Sequence, residues 1–484
     1  MKKHLTFIKN QPDFVIYFVI LLSFVWLFVG KSVPFSNEPV YLLRLFSTYH
    51  TDFLVGDLSF STKGGEHWLF NHLFGILTLI FNVSTVGWIG RIICWTILTY
   101  ALFNLAKHWK ISALTITISI LIWLAIGQTI VNDEWIFGGF EAKNVAYICL
   151  LFALDFFLRK RENIGSFLLG LTFSFHPAVG LWAILAVGLA MILCRWEIKT
   201  IFRVVVITFL FSLIGIWSIW TENLSNSEDW KFFVIERASP ILNPFSWSIK
   251  SLVVLGLMFL FVMLSDLEKF TKYFLFGLFC FFLLGFGLRF FEQWQLLCLM
   301  PLRLFPVFTP LFFFWTFFAV CRRKSFSTKS AFVALCAILL FFVFHNPVKM
   351  GFYQISETIQ TWRAKNDGKT NAYLWLKENS PKDSIILSPI WDRNSWFYSE
   401  RRQFVSFSYP PFENMTEWRL RVRKLVGEKT DSEVIQDAYG QIPSQVLDEL
   451  ADKYGVRYVV SQVDYSYPKI FEDQDWKVYK ISAK

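Results

Sequence analysis

Two glutamates stand where a polar segment meets an apolar run. A carboxylate held at such a junction can serve as general base toward a substrate hydroxyl. Glu38 lies in Ser36-Asn37-Glu38-Pro39-Val40-Tyr41, eight residues beyond an apolar run at 14–30. That short tether would keep it near lipid headgroups; a solvated loop acid is the plainer alternative. Glu141 lies in Gly138-Gly139-Phe140-Glu141-Ala142-Lys143-Asn144, where the chain enters another apolar run. As a helix-entry acid it would be favoured by the helix dipole and would pair with Lys143. As a second carboxylate facing the first across a cavity, it would share acceptor activation and positioning, as in inverting sugar transfer. Gly138 and Gly139 would let a substrate approach the backbone closely.

The basic candidates fall in apolar surroundings. Arg303, in Leu302-Arg303-Leu304-Phe305-Pro306, is seven residues inside the run 296–320, and Arg289 stands at a helix end. A buried guanidinium needs an anion. A lipid phosphate or an internal carboxylate would satisfy it, and the sequence leaves both open, as it does for Arg91. His176-Pro177 separates two apolar runs. A polar residue at membrane depth faces a cavity or is hydrogen-bonded at its turn. Asp57, in a long polar loop with Asp52, joins the substrate-binding candidates. The loop has no DxD spacing, and Asp133-Glu134 are adjacent rather than alternating. No cofactor is therefore expected, and a divalent metal is not favoured. The seven cysteines lie in or at the ends of apolar runs, which argues against a disulfide framework or a Cys-based zinc site. Neither a Walker motif nor a local Ser/His/Asp signature is present.

The elements that must carry these residues are mostly membrane helices. Of 484 residues, 55% are hydrophobic and 17% are charged, against about a quarter charged in soluble domains. Phe alone occurs 56 times, which excludes a soluble globule of this size and a disordered chain. The net charge of +10 comes from clusters between apolar runs, a pattern of membrane orientation rather than of nucleic-acid binding. Apolar runs recur at about 14–30, 68–82, 85–106, 111–131, 143–158, 164–175, 178–194, 201–220, 250–266, 272–288, 296–320 and 330–345. The run 14–30 follows a basic N-terminus without a small-residue cleavage site and reads as a retained first helix. The run 68–82 is short and broken by polar residues, so it is expected flat on the outer surface. Eleven spans remain, with the N-terminus inside and the C-terminus outside. The inside segments then hold 17 Lys or Arg in 54 residues, and the outside loops 8 in 93. This agrees with the positive-inside rule. The run 164–175 is too short to span alone and is expected to meet the next helix at a turn below the outer surface. Within loop 221–250, Trp230–Arg237 reads as an amphipathic piece suited to the membrane interface.

The composition changes near residue 346. Segments 371–379, 414–426 and 443–454 read as helices. Segments 384–388, 404–408, 457–461 and 476–480 read as strands. The expected domains are a transmembrane domain, 1–345, with a long first outer loop, 31–84, and an extracytoplasmic α/β domain, 346–484.

These features together resemble the GT-C superfamily of membrane glycosyltransferases, which use polyprenyl-phosphate-linked sugars. Asn37-Glu38-Pro39-Val40-Tyr41-Leu42 is similar to the acid-Glu-Pro-x-Tyr-Leu start of that family's first loop, with Asn in place of the first acid. Phe140-Glu141-Ala142-Lys143-Asn144-Val145-Ala146-Tyr147 and Phe175-His176-Pro177-Ala178-Val179-Gly180 resemble segments of bacterial envelope-polysaccharide members. Segments 379–387 and 450–459 resemble their tail domains. The resemblance implies Glu38 and Glu141 as catalytic candidates, with Arg303, Arg289 or Lys143 stabilising the departing lipid phosphate. It implies a polyprenyl-phosphate sugar and a glycan, lipid or protein acceptor as partners, in the plasma membrane. The alternatives are a lipid-linked glycan transporter or flippase, and a non-catalytic component of a polysaccharide export system. Polarity concentrated on one face argues against the transporter. Asn37 keeps the non-catalytic component open.

Overall fold

The structure, a computed structural model, describes residues 12–60, 65–220, 227–323, 328–363, 367–427 and 439–481. The basic N-terminus and part of the 321–330 cluster lie outside these residues. Each apolar run contains a helix. Among the described residues, three helices can cross a membrane by length and composition: Val83–Lys107, Ile198–Ile219 and Lys269–Phe290. A fourth span results if Thr328–Phe344 and Pro347–Arg363, bent by 44° at their break, count as one. The other apolar helices are shorter. The chain is thus a helical integral membrane protein, and eleven separate spans are more than helix length alone establishes.

The packing shows why lipid suits this surface. Helix Ile198–Trp220 buries Val204, Thr208 and Ser212 at a spacing of four and exposes Phe202, Val205, Phe209 and Leu210. Its small and polar side faces protein and its apolar side faces outward, as membrane helices arrange themselves. Gly170 permits the close approach. A Cβ there would sit 2.6 Å from the Thr208 carbonyl oxygen. Helix Phe305–Arg323 is buried on nearly every side, from Phe305 through Trp315, and forms the middle of the helical core.

The run 296–320 is not one helix. Residues 298–304 form a turn with Met300 at φ 60°, and the long helix begins only at Phe305. Arg303 is therefore on a turn at a helix entrance, not inside a helix.

The chain divides into two compact units. The first joins Met1–Ser32, Trp88–Trp217 and Pro240–Trp362. The second joins Val33–Gly87, Ser218–Ser239 and Arg363–Lys484. Helix Pro347–Arg363 packs within the first. Thr358 Oγ1 donates to the Phe28 carbonyl at 3.3 Å, Trp362 Nε1 to the Gly30 carbonyl at 2.6 Å, and Lys31 pairs with Glu357 at 2.7 Å.

The second unit carries a five-stranded sheet: β1 (Ile385–Leu387), β2 (Arg402–Gln403), β3 (Val456–Ser461), β4 (Lys469–Asp473) and β5 (Trp476–Lys480). The order is β2-β1-β3-β5-β4. β1 is parallel to β2 and β3, and β5 is antiparallel to β3 and β4. Helix Gly368–Asn379 covers one face, with Ala372, Tyr373 and Leu376 packed on Ile386, Val460 and Val478. Segment 404–408, expected as a strand, is irregular. Its backbone bonds to the Ile386 and Ile390 carbonyls, and Phe404 and Phe407 are buried. The expected interfacial piece also differs. Ser227–Phe232 is a helix followed by a π turn, Phe233–Arg237. Phe232 packs on Phe407 and Trp418, and Trp230 stacks on Phe412. Its apolar side is thus satisfied by aromatic rings of its own unit.

Candidate functional site

The helical unit gathers several of the expected site residues. Helix Ala113–Ala125 ends at a loop that turns through Gly127, Gln128, Asn132 and Asp133, all with positive φ. Gln128 holds the loop closed: its Oε1 accepts from the Ile136 and Phe137 N–H groups, and its Nε2 donates to the Phe137 carbonyl. Asn132 Nδ2 donates to the Leu302 carbonyl at 3.0 Å, joining this loop to the turn that bears Arg303. Helix Ala142–Leu158 then starts at Glu141, whose N–H donates to Asn144 Oδ1 at 2.8 Å.

The side chains converge on Glu134. Arg303 Nε lies 2.9 Å from one Glu134 oxygen, and Lys143 Nζ lies 3.5 Å from the other. The Tyr147 hydroxyl donates to Glu134 at 3.4 Å. Lys143 is also 3.6 Å from Glu141 and 3.5 Å from the Trp135 ring centroid. Glu134, Glu141, Lys143 and Arg303 are all buried. Two cations thus meet two carboxylates, the pairing that buried charges require.

His176 closes the group from the junction of Glu162–Phe175 and Pro177–Leu193, its Nε2 3.0 Å from Arg303 Nη1. A guanidinium only donates, so Nε2 accepts and the ring proton sits on Nδ1. The 3.4 Å approach of the Val179 N–H to Nδ1 is then packing rather than a hydrogen bond. Of the two fates open to Arg303, the structure contains the internal ion pair. Gly138 also differs from expectation: a Cβ there would lie 2.3 Å from the Trp135 ring, so an indole, not a substrate, occupies the space.

Arg289 ends helix Lys269–Phe290 and has a different environment. Its Nε donates to Asn243 Oδ1 at 3.0 Å, and its guanidinium lies over Phe245 and Trp294 at 5.1 and 4.7 Å. Among the described residues it has no carboxylate partner. Arg91 is buried, donates to the Lys31 carbonyl and lies over Trp88 at 4.7 Å.

Glu38 and Asp57 belong to the second unit. Glu38 opens helix Glu38–Tyr49, is buried, and accepts from the Phe35 N–H at 2.9 Å. Asn37 Oδ1 accepts from Arg393. Asp57 accepts from the Ser59 and Phe60 N–H groups through one oxygen, and from Trp396 Nε1 and the Gln403 N–H through the other. Burial pushes its carboxyl above the usual aspartate range, although those four donors pull it down. Among the described residues, no group of three or more His, Cys, Asp or Glu is placed to hold a metal ion.

The hub of the cluster, Glu134, was not among the expected site residues. Its signal was the preceding Asn132-Asp133, two residue types that tolerate the left-handed conformation and so mark a sharp turn.

The fold is shared with a solved structure. The chain matches the crystal structure of ArnT from Cupriavidus metallidurans bound to undecaprenyl phosphate, with a TM-score of 0.53 and 9% sequence identity. The match covers 97% of this chain and 98% of that one. No family model and no curated protein matches the sequence.

Proposed function

We propose that the protein is a membrane glycosyltransferase that takes its sugar from a polyprenyl-phosphate donor. The observation that carries this reading is the likeness along the whole chain to a structure solved with undecaprenyl phosphate. In the reaction, an acceptor hydroxyl oxygen attacks the anomeric carbon, the bond from that carbon to the phosphate oxygen breaks, and the lipid phosphate leaves with the electron pair. Glu38 takes the hydroxyl proton; the Phe35 N–H fixes its orientation. Glu141 assists in positioning. Arg289 is the best candidate for the lipid phosphate. It ends a helix long enough to cross the membrane, and no carboxylate among the described residues neutralises it. Arg303, Lys143 and His176 form the buried framework beside Glu141. Asp57 contributes by holding the first loop. Eleven spans with the N-terminus inside and the α/β domain outside complete the reading.

Mass spectrometry of lipids that copurify with the gently solubilised protein tests it. Wild type and Glu38→Gln are expected to retain a polyprenyl-phosphate sugar, and Arg289→Ala to lose it. Wild type carrying no polyprenyl lipid, where a known enzyme of this class retains one, overturns the reading.

A further inference from the structure

The second unit contains a cavity of about 520 Å³ that the proposed chemistry does not use. Small-molecule sites commonly measure about 300–1,000 Å³. Helix Glu38–Tyr49 supplies Phe46, and the loop beyond it supplies Phe53, their rings edge-to-face at 5.0 Å. Phe397 comes from helix Asn394–Ser399. The polar lining consists of Lys377 and Glu400, paired at 2.5 Å, with Tyr398, with Thr78 and Asn82 from the segment before helix Val83–Lys107, and with Ser84 in that helix's first turn.

Three features define the occupant. The first is depth. Val83 and Ser84 line the cavity and begin a helix long enough to cross the membrane. The cavity therefore stands at the boundary between lipid and water. The second is exposed apolar surface: Leu79 and Ile80 line the cavity and are exposed, Ile80 by 75%, and Leu73 and Ile76, earlier in the same segment, are exposed as well. A hydrocarbon chain would be accommodated there. The third is charge. Lys377 and Glu400 are the charged lining residues, they cancel, and their side chains are 43% and 41% exposed. A net anion gains nothing from such a pair. A neutral ring bearing hydroxyls gains at both ends, accepting from the ammonium and donating to the carboxylate, while its apolar faces rest on the phenyl rings. Asn82 Oδ1 already accepts the Thr85 N–H, which leaves its amide N–H groups to donate.

We propose that this cavity binds a neutral sugar ring carried on a membrane lipid.

The test uses the full chain in phosphatidylcholine nanodiscs. A diazirine-bearing monoglucosyl diacylglycerol is the probe, with phosphatidylcholine and phosphatidylglycerol carrying the same diazirine as comparisons. The glucosyl probe is expected to label the peptides containing residues 78–84 and 397–400. Ser84→Trp, which fills the cavity from a half-exposed helix start, is expected to cut labelling about tenfold. Lys377→Met with Glu400→Gln tests the polar contact without filling the space, and is expected to do the same. Equal labelling by the two phospholipid probes overturns the proposal in favour of a general lipid site. Labelling that both variants leave unchanged overturns it as well. Retention of a polyprenyl-phosphate sugar, measured on the same samples, reports separately on the transferase reading, because none of these residues is assigned to the donor.

Discussion

Glu38 and Arg303 answer different questions at the scale of single residues. Glu38→Gln preserves an oxygen that can accept the Phe35 N–H, so the loop is expected to keep its shape while losing its base. Sugar transfer by the purified protein is expected to fall by about 10²–10⁴-fold, the usual contribution of a general base. Unchanged glycan output from Glu38→Gln would support a non-catalytic component instead. Arg303→Ala leaves buried Glu134 with Lys143 at 3.5 Å in place of a guanidinium at 2.9 Å. Breaking a buried pair from one side costs about 3–5 kcal/mol. Its thermal midpoint in detergent is therefore expected to drop, and Arg303→Met with Glu134→Gln to recover most of the loss. Arg289→Ala leaves no buried carboxylate behind and is expected to melt close to wild type. A single Arg303→Ala variant as stable as wild type would show that the pair is not structural. The sequence marked Arg303 as needing an anion, but it could not choose between a lipid phosphate and a carboxylate. That choice depends on Asn132 bonding to the Leu302 carbonyl, a contact between residues 170 positions apart.

At the scale of elements, side chains that looked available for chemistry often hold segments together. Asp57 joins the first loop to β2 through four N–H donors, two on each oxygen. An amide cannot reproduce this, because its nitrogen would confront two donors. Asp57→Asn is expected to destabilise the second unit by about 2–4 kcal/mol, with each lost bond to a buried group costing about 1–3 kcal/mol. Limited proteolysis near residues 57–60 would detect the loosened loop; wild-type resistance would contradict the clamp. The same scale explains which elements were legible. The helices announced themselves through apolar runs, and β3 and β5 through branched and aromatic residues. β4 did not, because Lys469, Glu472 and Asp473 make it an edge strand with a polar sequence. Trp230–Arg237 carried a correct amphipathic signal, but periodicity does not say whether lipid or protein will cover the apolar side. Here Phe407, Phe412 and Trp418 cover it, from residues more than 170 positions away.

At the scale of the whole molecule, the second unit constrains the path through the membrane. Its three segments, 33–87, 218–239 and 363–484, form one compact body, which requires all three to emerge on one side. An even number of spans must therefore separate each from the next. The three helices that qualify individually fail this condition. Two spans would lie between the first and second segments, but one, Lys269–Phe290, between the second and third. Counting the bent pair Thr328–Phe344 and Pro347–Arg363 restores an even number, and so does the eleven-span path with six and then four spans. These two solutions put residue 293 on opposite sides. Single cysteines placed at exposed positions in a background without the seven native ones distinguish them. With eleven spans, Lys382→Cys and Gln293→Cys are expected to react with an impermeant maleimide in intact cells, and Lys199→Cys only after permeabilisation. Reaction of Gln293→Cys only after permeabilisation would reduce the count to four. Reaction of Lys199→Cys in intact cells, with Lys382→Cys protected, would invert the molecule and place the proposed sugar-lipid cavity on the inner face.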